Sequence, residues 1–509
     1  MKKKILSLLL LLFALLMTVY FVHRLSKKNG QGPGDASETG TALVPGTETL
    51  EEKTFPYETA ENGTSGEAAS EYGPGGETEP PAETEYDPGE PVDRENIPAD
   101  LMFVSDVHYM SSSLTDYGAA FDGLVDDGDG KVVQYMPQIW QAFSDEVLRR
   151  RPDVLILSGD LTLDGEKVNH QELAAHLKEL EAAGIPVLVI PGNHDINNPD
   201  ASAYFGNEKS SIETVTPEEF REIYDAFGYG EAVSYAPDSL SYLYRLNETT
   251  WLLMLDTCIY EPENRVSGEI REGTLAWAEQ CMQSAYSQGI TVLPVGHHNL
   301  QEISRVYVDE CVIENHVEAL RTFERYLTQV YFSGHLHAQR IMKHISEPGV
   351  GSEVYGIWEV VSNSLIIPPC QYGNLSIHAD GSMSYHTENV DVSGWAAKHG
   401  ETNPDLLDFD AFSDTYLRTV ISHQTYRSFD DIPDEIREVL ADFYADLYRD
   451  YYAGRQINYS ERKKEWGYSL WDRFMNPSIQ FRQVEGMLRD GMVVNNRAEI
   501  PDPIGLERK

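Results

Sequence analysis

The sequence predicts an α/β fold: a central sheet covered by helices, preceded by a membrane segment and a disordered linker and followed by a helical region. Three observations carry this. Short β-rich runs alternate with amphipathic stretches between Ala99 and Val392. Polar clusters of metal-ligand residue types stand directly after most of those runs. Composition changes sharply near residues 28, 98 and 400.

The N-terminal segment, residues 1–28, opens with Lys2, Lys3 and Lys4, followed by an apolar run from Ile5 to Val22 and then Arg24, Lys27 and Lys28. A bilayer-spanning helix needs roughly 17–25 apolar residues, which this run just supplies. An uncleaved anchor is the leading reading because no small-x-small site follows the run; a cleaved signal peptide is the alternative. Positive charge flanks both sides, so it does not orient the segment. Residues 29–98 are rich in Gly, Pro, Thr, Ser and Glu and poor in apolar side chains. Such a stretch cannot bury enough surface to offset chain entropy and reads as a disordered acidic linker. As a flexible coil it would span about 45–50 Å, enough to hold a domain off a membrane.

Residues 99–392 form the expected catalytic domain. Leu101–Ser105, Val154–Leu157, Val187–Ile190, Trp251–Leu255, Thr291–Val295 and Val330–Ser333 read as strands. Glu172–Glu181 reads as a helix closed by Gly184. Alternation of strand and helix argues for a central sheet with helices on its faces. From 400 to 509 the chain reads as helical, with Ile436, Leu440, Phe443 and Leu447 at helical spacing, Pro433 near a start and Gly454 near a stop. The aromatics Tyr444, Tyr448, Tyr451, Tyr452, Trp466 and Trp471 are read as core and lid packing, with a ligand platform as the alternative.

The formal net charge of −44 argues against a nucleic-acid polymer as partner. A small phosphorylated substrate stays compatible, because bound cations can reverse the field of one pocket. The four cysteines, Cys258, Cys281, Cys311 and Cys370, contain no C-x-x-C pair, which excludes a zinc ribbon or thioredoxin motif. Buried thiols are expected, with one disulfide open for an exported domain.

The chemistry lies in the clusters. Phe103-Val-Ser leads to Asp106-Val-His108, Leu155-Ile-Leu-Ser to Gly159-Asp160, and Val189-Ile-Pro to Gly192-Asn193-His194-Asp195. Pro294-Val-Gly leads to His297-His298, and Tyr331-Phe-Ser to Gly334-His335-Leu-His337. Ligands in α/β sheets bind beyond the carboxyl ends of strands, so these loops should converge. Imidazoles, carboxylates and an amide oxygen suit Mn, Fe, Zn or Ni and not a thiolate site. A carboxylate between two cations can bridge them, and a two-metal site stabilises both the attacking and leaving oxygens of phosphoryl transfer.

The ordered pattern D-x-H, G-D, G-N-H-D, H, G-H-x-H resembles the calcineurin-like metallophosphoesterase family over most of residues 101–340. The resemblance implies a β-sheet sandwich flanked by helices and two divalent metal ions. It implies that Asp106, His108 and His337 hold one metal, that Asp160 bridges, and that Asn193, His297 and His335 complete the second. His297, directly after its strand, is preferred over His298. His194 would act on the leaving oxygen with Asp195 orienting it, and a metal-bridging hydroxide would attack in line. Leu163 stands where purple acid phosphatases carry a tyrosine, and His108 is present, which argues against that branch. The run Gly159–Glu166, Leu255-Asp256-Thr257, Gly268 and Leu275-Ala-Trp277 is similar to the class III cyclic-nucleotide phosphodiesterase branch.

Other features receive plainer readings. Asp126-Asp-Gly-Asp129-Gly130-Lys131 lacks the final Glu of a calcium loop and is read as a solvated turn in an insertion bordering the site. His170 and His176 are read as surface residues, and Arg265 and Arg271 as structural before substrate-binding. The expected function is hydrolysis of phosphodiesters or phosphomonoesters outside a membrane, on small substrates, surface lipids or wall polymers. The alternative is an inactive scaffold on the same fold, which the intact ligand set disfavours.

Overall fold

The computed structural model describes residues 95–307, 310–344, 356–429 and 432–502. They fall within one compact unit, Pro88–Lys509. The expected anchor, and the expected linker up to residue 94, lie outside the described residues. Among the described residues no helix is long and apolar enough to cross a membrane.

The strands are β1 (Ala99–Val104), β2 (Val154–Ser158), β3 (Val187–Ile190), β4 (Ser202–Phe205), β5 (Glu208–Ser211), β6 (Ser234–Tyr235), β7 (Tyr242–Arg245) and β8 (Thr250–Met254). They continue as β9 (Thr291–Val295), β10 (Val330–Ser333), β11 (Arg340–Lys343), β12 (Trp358–Val361), β13 (Gln371–Ile377), β14 (Met383–Asn389) and β15 (Arg497–Ile500). One sheet runs β15-β14-β13-β1-β2-β3 and a second runs β11-β12-β10-β9-β8-β7-β6, with β4 and β5 as a separate hairpin. In the first, β1, β2 and β3 are parallel neighbours. In the second, β8, β9, β10 and β12 are parallel. All seven of these strands are rich in Val, Ile, Leu and Phe, as expected where both faces are covered.

Alternation along a strand divides its side chains between two layers. On β8, Leu252 and Met254 join the core shared with β1, β2 and β3. Trp251 and Leu253 instead meet Leu275, Trp277, Ala278 and Met282 of the helix Glu272–Tyr286. Phe103 of β1 stacks on Phe332 of β10 at 4.0 Å and 14°, so the two sheets meet face to face. The helices Met136–Arg150 and Lys167–Ala182 share the core of the first sheet through Ile139, Phe143, Val147, Leu173 and Leu177. The result is a sheet sandwich with helices outside.

The C-terminal region is helical from Phe409 to Asp490, with a second core around Leu417, Leu440, Leu447, Trp471 and Val484 that also takes in Ala338 and Ile367. Its end differs from expectation. Residues Arg497–Ile500 form β15, which pairs with β14 and extends the first sheet. Ala498 and Ile500 are buried while Arg497 and Glu499 are exposed, a strand alternation too short to stand out in sequence.

Candidate metal centre

The five clusters follow β1, β2, β3, β9 and β10, all at the carboxyl ends of parallel strands. Strand register brings the loops together: Asp106 N donates to Gly159 O at 3.0 Å and His108 N to Asp160 O at 2.9 Å. Asp106, His108, Asp160 and His337 offer ligand atoms within 4.8 Å of one another, and Asp160, His297 and His335 do the same. Asp160 belongs to both groups.

Hydrogen bonds on the far side of each ring determine which nitrogen faces the centre. His297 Nδ1 lies 2.9 Å from the Ser158 carbonyl, an acceptor only, so Nδ1 carries the proton. Its Nε2 lone pair then points to Asn193 Oδ1 at 3.1 Å and Asp160 Oδ2 at 3.3 Å. His337 Nδ1 lies 2.6 Å from Asp129 Oδ2, which leaves Nε2 facing Asp106 Oδ1 at 3.3 Å and His108 Nε2 at 2.9 Å. His335 Nε2 donates to Glu310 O at 3.1 Å, which turns Nδ1 inward. A second partner that fixes the tautomer is the usual arrangement for ligating histidines.

The donor set fits divalent cations. Acceptor nitrogens and carboxylates face each other with few protons between them, an arrangement that cations would satisfy. Among the described residues, fully buried His108 also has no hydrogen-bond partner for Nδ1. Burial pushes Asp160 upward, but His297 and His194 beside it hold its carboxyl well below the ordinary range. It is therefore an anion at the junction of both groups.

The backbone is strained to achieve this. Asp106, His108, Asp160, His335 and His337 have φ of 52°, 45°, 49°, 69° and 57°. Left-handed conformations are uncommon outside glycine, and such positions cost about 1–3 kcal/mol each. Two glycines permit the close approaches. A Cβ on Gly192 would lie 2.0 Å from Asp160 N, and one on Gly334 would lie 1.8 Å from Ser105 Oγ.

His194 sits at the rim, partly exposed, with Nε2 3.9 Å from Asp160 Oδ2. Its Nδ1 lies 2.8 Å from Leu163 O and 2.9 Å from Asp164 Oδ1. Asp195, expected to orient His194, is engaged elsewhere. Its carboxylate accepts from Leu161 N at 3.0 Å, Thr162 N at 3.0 Å, Thr162 Oγ1 at 3.0 Å and Gly192 N at 2.8 Å. Asp195 thus ties the β2 and β3 loops together, and Asp164 is the carboxylate that holds His194. Burial lowers the His194 imidazolium, but Asp160 and then Asp164 raise it to about 10.

Of the other expectations, those for His170, His176 and Asp129 change. His170 is fully buried, with ring nitrogens at 3.0 Å from Tyr224 OH and 3.0 Å from Asp195 O. Half-buried His176 meets Tyr109 OH at 3.2 Å. Asp129 is not a solvated turn residue but the partner of His337. His298 has its ring nitrogens 2.8 Å from Thr257 Oγ1 and 2.9 Å from Val266 O. Arg271 Nη1 lies 3.5 Å from Asp256 and its guanidinium covers Tyr260, a structural role, while Arg265 is exposed. Cys258, Cys281 and Cys370 are buried and Cys311 half-buried, with no disulfide among the four. Asp164 and Asp129 were the functional residues missed. The only sequence signal for Asp164 was its place in the run after the bridging aspartate.

Residues 100–339 match the family described as calcineurin-like phosphoesterase, and residues 391–492 match the C-terminal domain of cyclic nucleotide phosphodiesterase. Among curated relatives, a probable cyclic nucleotide phosphodiesterase of Moraxella catarrhalis is 22% identical over 187 residues, 36% of this chain and 58% of that protein. The glycerophosphodiester phosphodiesterase GpdQ of Enterobacter lignolyticus is 26% identical over 239 residues, 47% of this chain and 70% of that protein. A solved dimetal phosphatase from Danio rerio is 13% identical with a TM-score of 0.41, covering 57% of this chain and 96% of that one. All five loops lie inside the first match, and residues 100–339 carry a calcineurin-like phosphoesterase domain.

Proposed function

We propose that this protein is a metal-dependent hydrolase of phosphoric esters, with phosphodiesters preferred over monoesters, that uses two divalent cations (Mn, Fe, Zn or Ni). One observation carries the reading: two groups of ligand atoms, each within 4.8 Å, share the Asp160 carboxylate. Asp106, His108 and His337 would hold one cation, Asn193, His297 and His335 the other, with Asp160 common to both. Bound there, the cations would supply activated water and offset charge on the phosphoryl oxygens. The chain's own part is positional and acid–base. His297 and His337 present lone pairs because Ser158 O and Asp129 hold their other nitrogens. His194, kept protonated by Asp160 and Asp164, donates from Nε2 to the leaving oxygen as water attacks in line.

The preference for diesters draws on the two relatives named as phosphodiesterases. The basic-flanked apolar run and acidic tether support a membrane-anchored enzyme acting outside the cytoplasm on small phosphorylated substrates, surface lipids or wall polymers. Protease access to the C-terminus on intact cells tests that placement, and full protection would reject it.

The deciding experiment uses the full chain in detergent, stripped of metal and reloaded separately with Mn, Zn, Ni or Fe. Turnover of a generic phosphodiester, a phosphomonoester and a cyclic nucleotide is compared. Metal-dependent hydrolysis is expected, lost in Asp160→Asn and lowered in His194→Ala, with the diester ahead. Failure of the intact chain to take up metal would overturn the proposal.

A further inference from the structure

The loop that carries Asp129 is held from outside as well as from within. Three of its backbone carbonyls, and one at the end of the helix Ala119–Asp127 before it, accept hydrogen bonds from side chains of the C-terminal helices Phe409–Arg427 and Asp434–Tyr452. Gln424 Nε2 donates to Gly128 O at 2.6 Å and to Asp126 O at 2.9 Å. Tyr448 OH donates to Asp129 O at 3.1 Å, and Tyr416 OH to Lys131 O at 2.9 Å. Gly130, at φ 92°, lies so close to Leu417 that a Cβ there would come within 2.2 Å of Leu417 Cδ1. Lys131 Nζ braces the carboxylate as well, 2.9 Å from Asp129 Oδ1 and 3.1 Å from Oδ2, the oxygen that meets His337.

The same helix end also reaches the other half of the pair. Gln339 N, two residues beyond His337, donates to Tyr452 O at 2.9 Å. Tyr448 and Tyr452 stack on each other with centroids 3.8 Å apart. One turn of the helix Asp434–Tyr452 therefore grips Asp129 through Tyr448 and the end of the His337 loop through Tyr452. Loops usually satisfy such carbonyls with water and move accordingly. Here side chains from a segment far along the chain satisfy them.

We propose that the C-terminal helical layer is a positioning element of the metal centre: Tyr448 and Gln424 hold Asp129 against His337 Nδ1, and Asp129 fixes the ring for its ligand role. Asp129, Tyr448 and Gln424 are positioning residues and do not touch substrate. The inference rests on His337 being a metal ligand, as in the function proposed above. Loss of a partner that orients a ligating histidine typically weakens metal binding by about 10–100-fold.

The test is titration of Mn²⁺ into the full, metal-stripped chain by calorimetry, with metal content checked by elemental analysis. Asp129→Asn should weaken one of two Mn²⁺ sites by about 10–100-fold and leave the other unchanged. Asp129→Glu, which keeps a carboxylate, should lose less. Tyr448→Phe, nearly isosteric, and Gln424→Ala should weaken the same site by a smaller factor, about 3–10-fold together, without changing far-ultraviolet circular dichroism or the thermal midpoint. Unchanged Mn²⁺ affinity in Asp129→Asn would overturn the role of Asp129. Weakened binding there but not in the Tyr448→Phe and Gln424→Ala double variant would overturn the role of the helices. If the parent chain binds no Mn²⁺, or His337→Ala leaves both sites intact, the metal-centre reading itself fails and takes this inference with it.

Discussion

His194 and Asp195 are adjacent aspects of one motif, yet they point to different tasks. His194 Nδ1 is held by Leu163 O and Asp164, which leaves Nε2 turned toward Asp160 and the space beside the metal ligands. A positioned general acid contributes about 10²–10⁴-fold. His194→Ala should therefore lower kcat by that range while Mn²⁺ content stays at the parental value. Asp164→Asn should act in the same direction but less, since Leu163 O still orients the ring; steady-state kinetics beside elemental analysis checks both. Asp195 works differently, because its carboxylate joins the loops after β2 and β3 through four hydrogen bonds. Asp195→Ala leaves those buried donors without an acceptor and should cost about 3 kcal/mol, read as a lower denaturation midpoint. Sequence spacing made both residues visible but could not separate them, since neighbouring side chains on a turn point in unrelated directions.

At the level of elements, the strands and their terminal clusters were legible because two independent patterns coincide there. Runs such as Val154–Ser158 and Val187–Ile190 are apolar throughout, as parallel strands covered on both faces must be. The turn that follows each must then reverse direction, and Asp, His and Gly are the residues that tolerate left-handed backbone. Gly192 lets Asp160 N pass where a Cβ would sit at 2.0 Å. Gly192→Ala should thus displace Asp160, and with it the shared ligand, reducing Mn²⁺ stoichiometry from two to one or none by elemental analysis. Full Mn²⁺ occupancy in that variant would mean the loop relaxes elsewhere. Elements whose meaning depends on distant chain were not legible. Asp129 lies 208 residues from His337, and its Asp-Gly-rich run has the composition of any exposed turn. His170 stands on the helix Lys167–Ala182 next to exposed Gln171, and its burial follows from Tyr224, at the end of the helix Pro217–Ile223, and from Asp195 in the loop after β3. The strand β15 is likewise specified by its partner β14 more than by its own short pattern.

Across the whole molecule, the same electrostatic field must act with opposite sign on the two ligands the site requires. The formal charge of −44 draws divalent cations in and pushes an anionic phosphoric ester away. The buried Asp106 and Asp160 sharpen the attraction locally, and bound cations reverse it only within the pocket. Salt separates the two effects, since the screening length shrinks from about 30 Å at 0.01 M to about 8 Å at 0.15 M. Raising ionic strength with a monovalent salt across that range should weaken Mn²⁺ binding measured by titration. With Mn²⁺ held saturating, it should raise kcat/KM for a negatively charged phosphodiester by a few-fold while kcat changes little, because only the approach of substrate is screened. A kcat/KM that falls with salt would instead mean that a local positive field guides the substrate. Lys131 would then be the first side chain to test, since it stands beside Asp129 at the edge of the metal ligands.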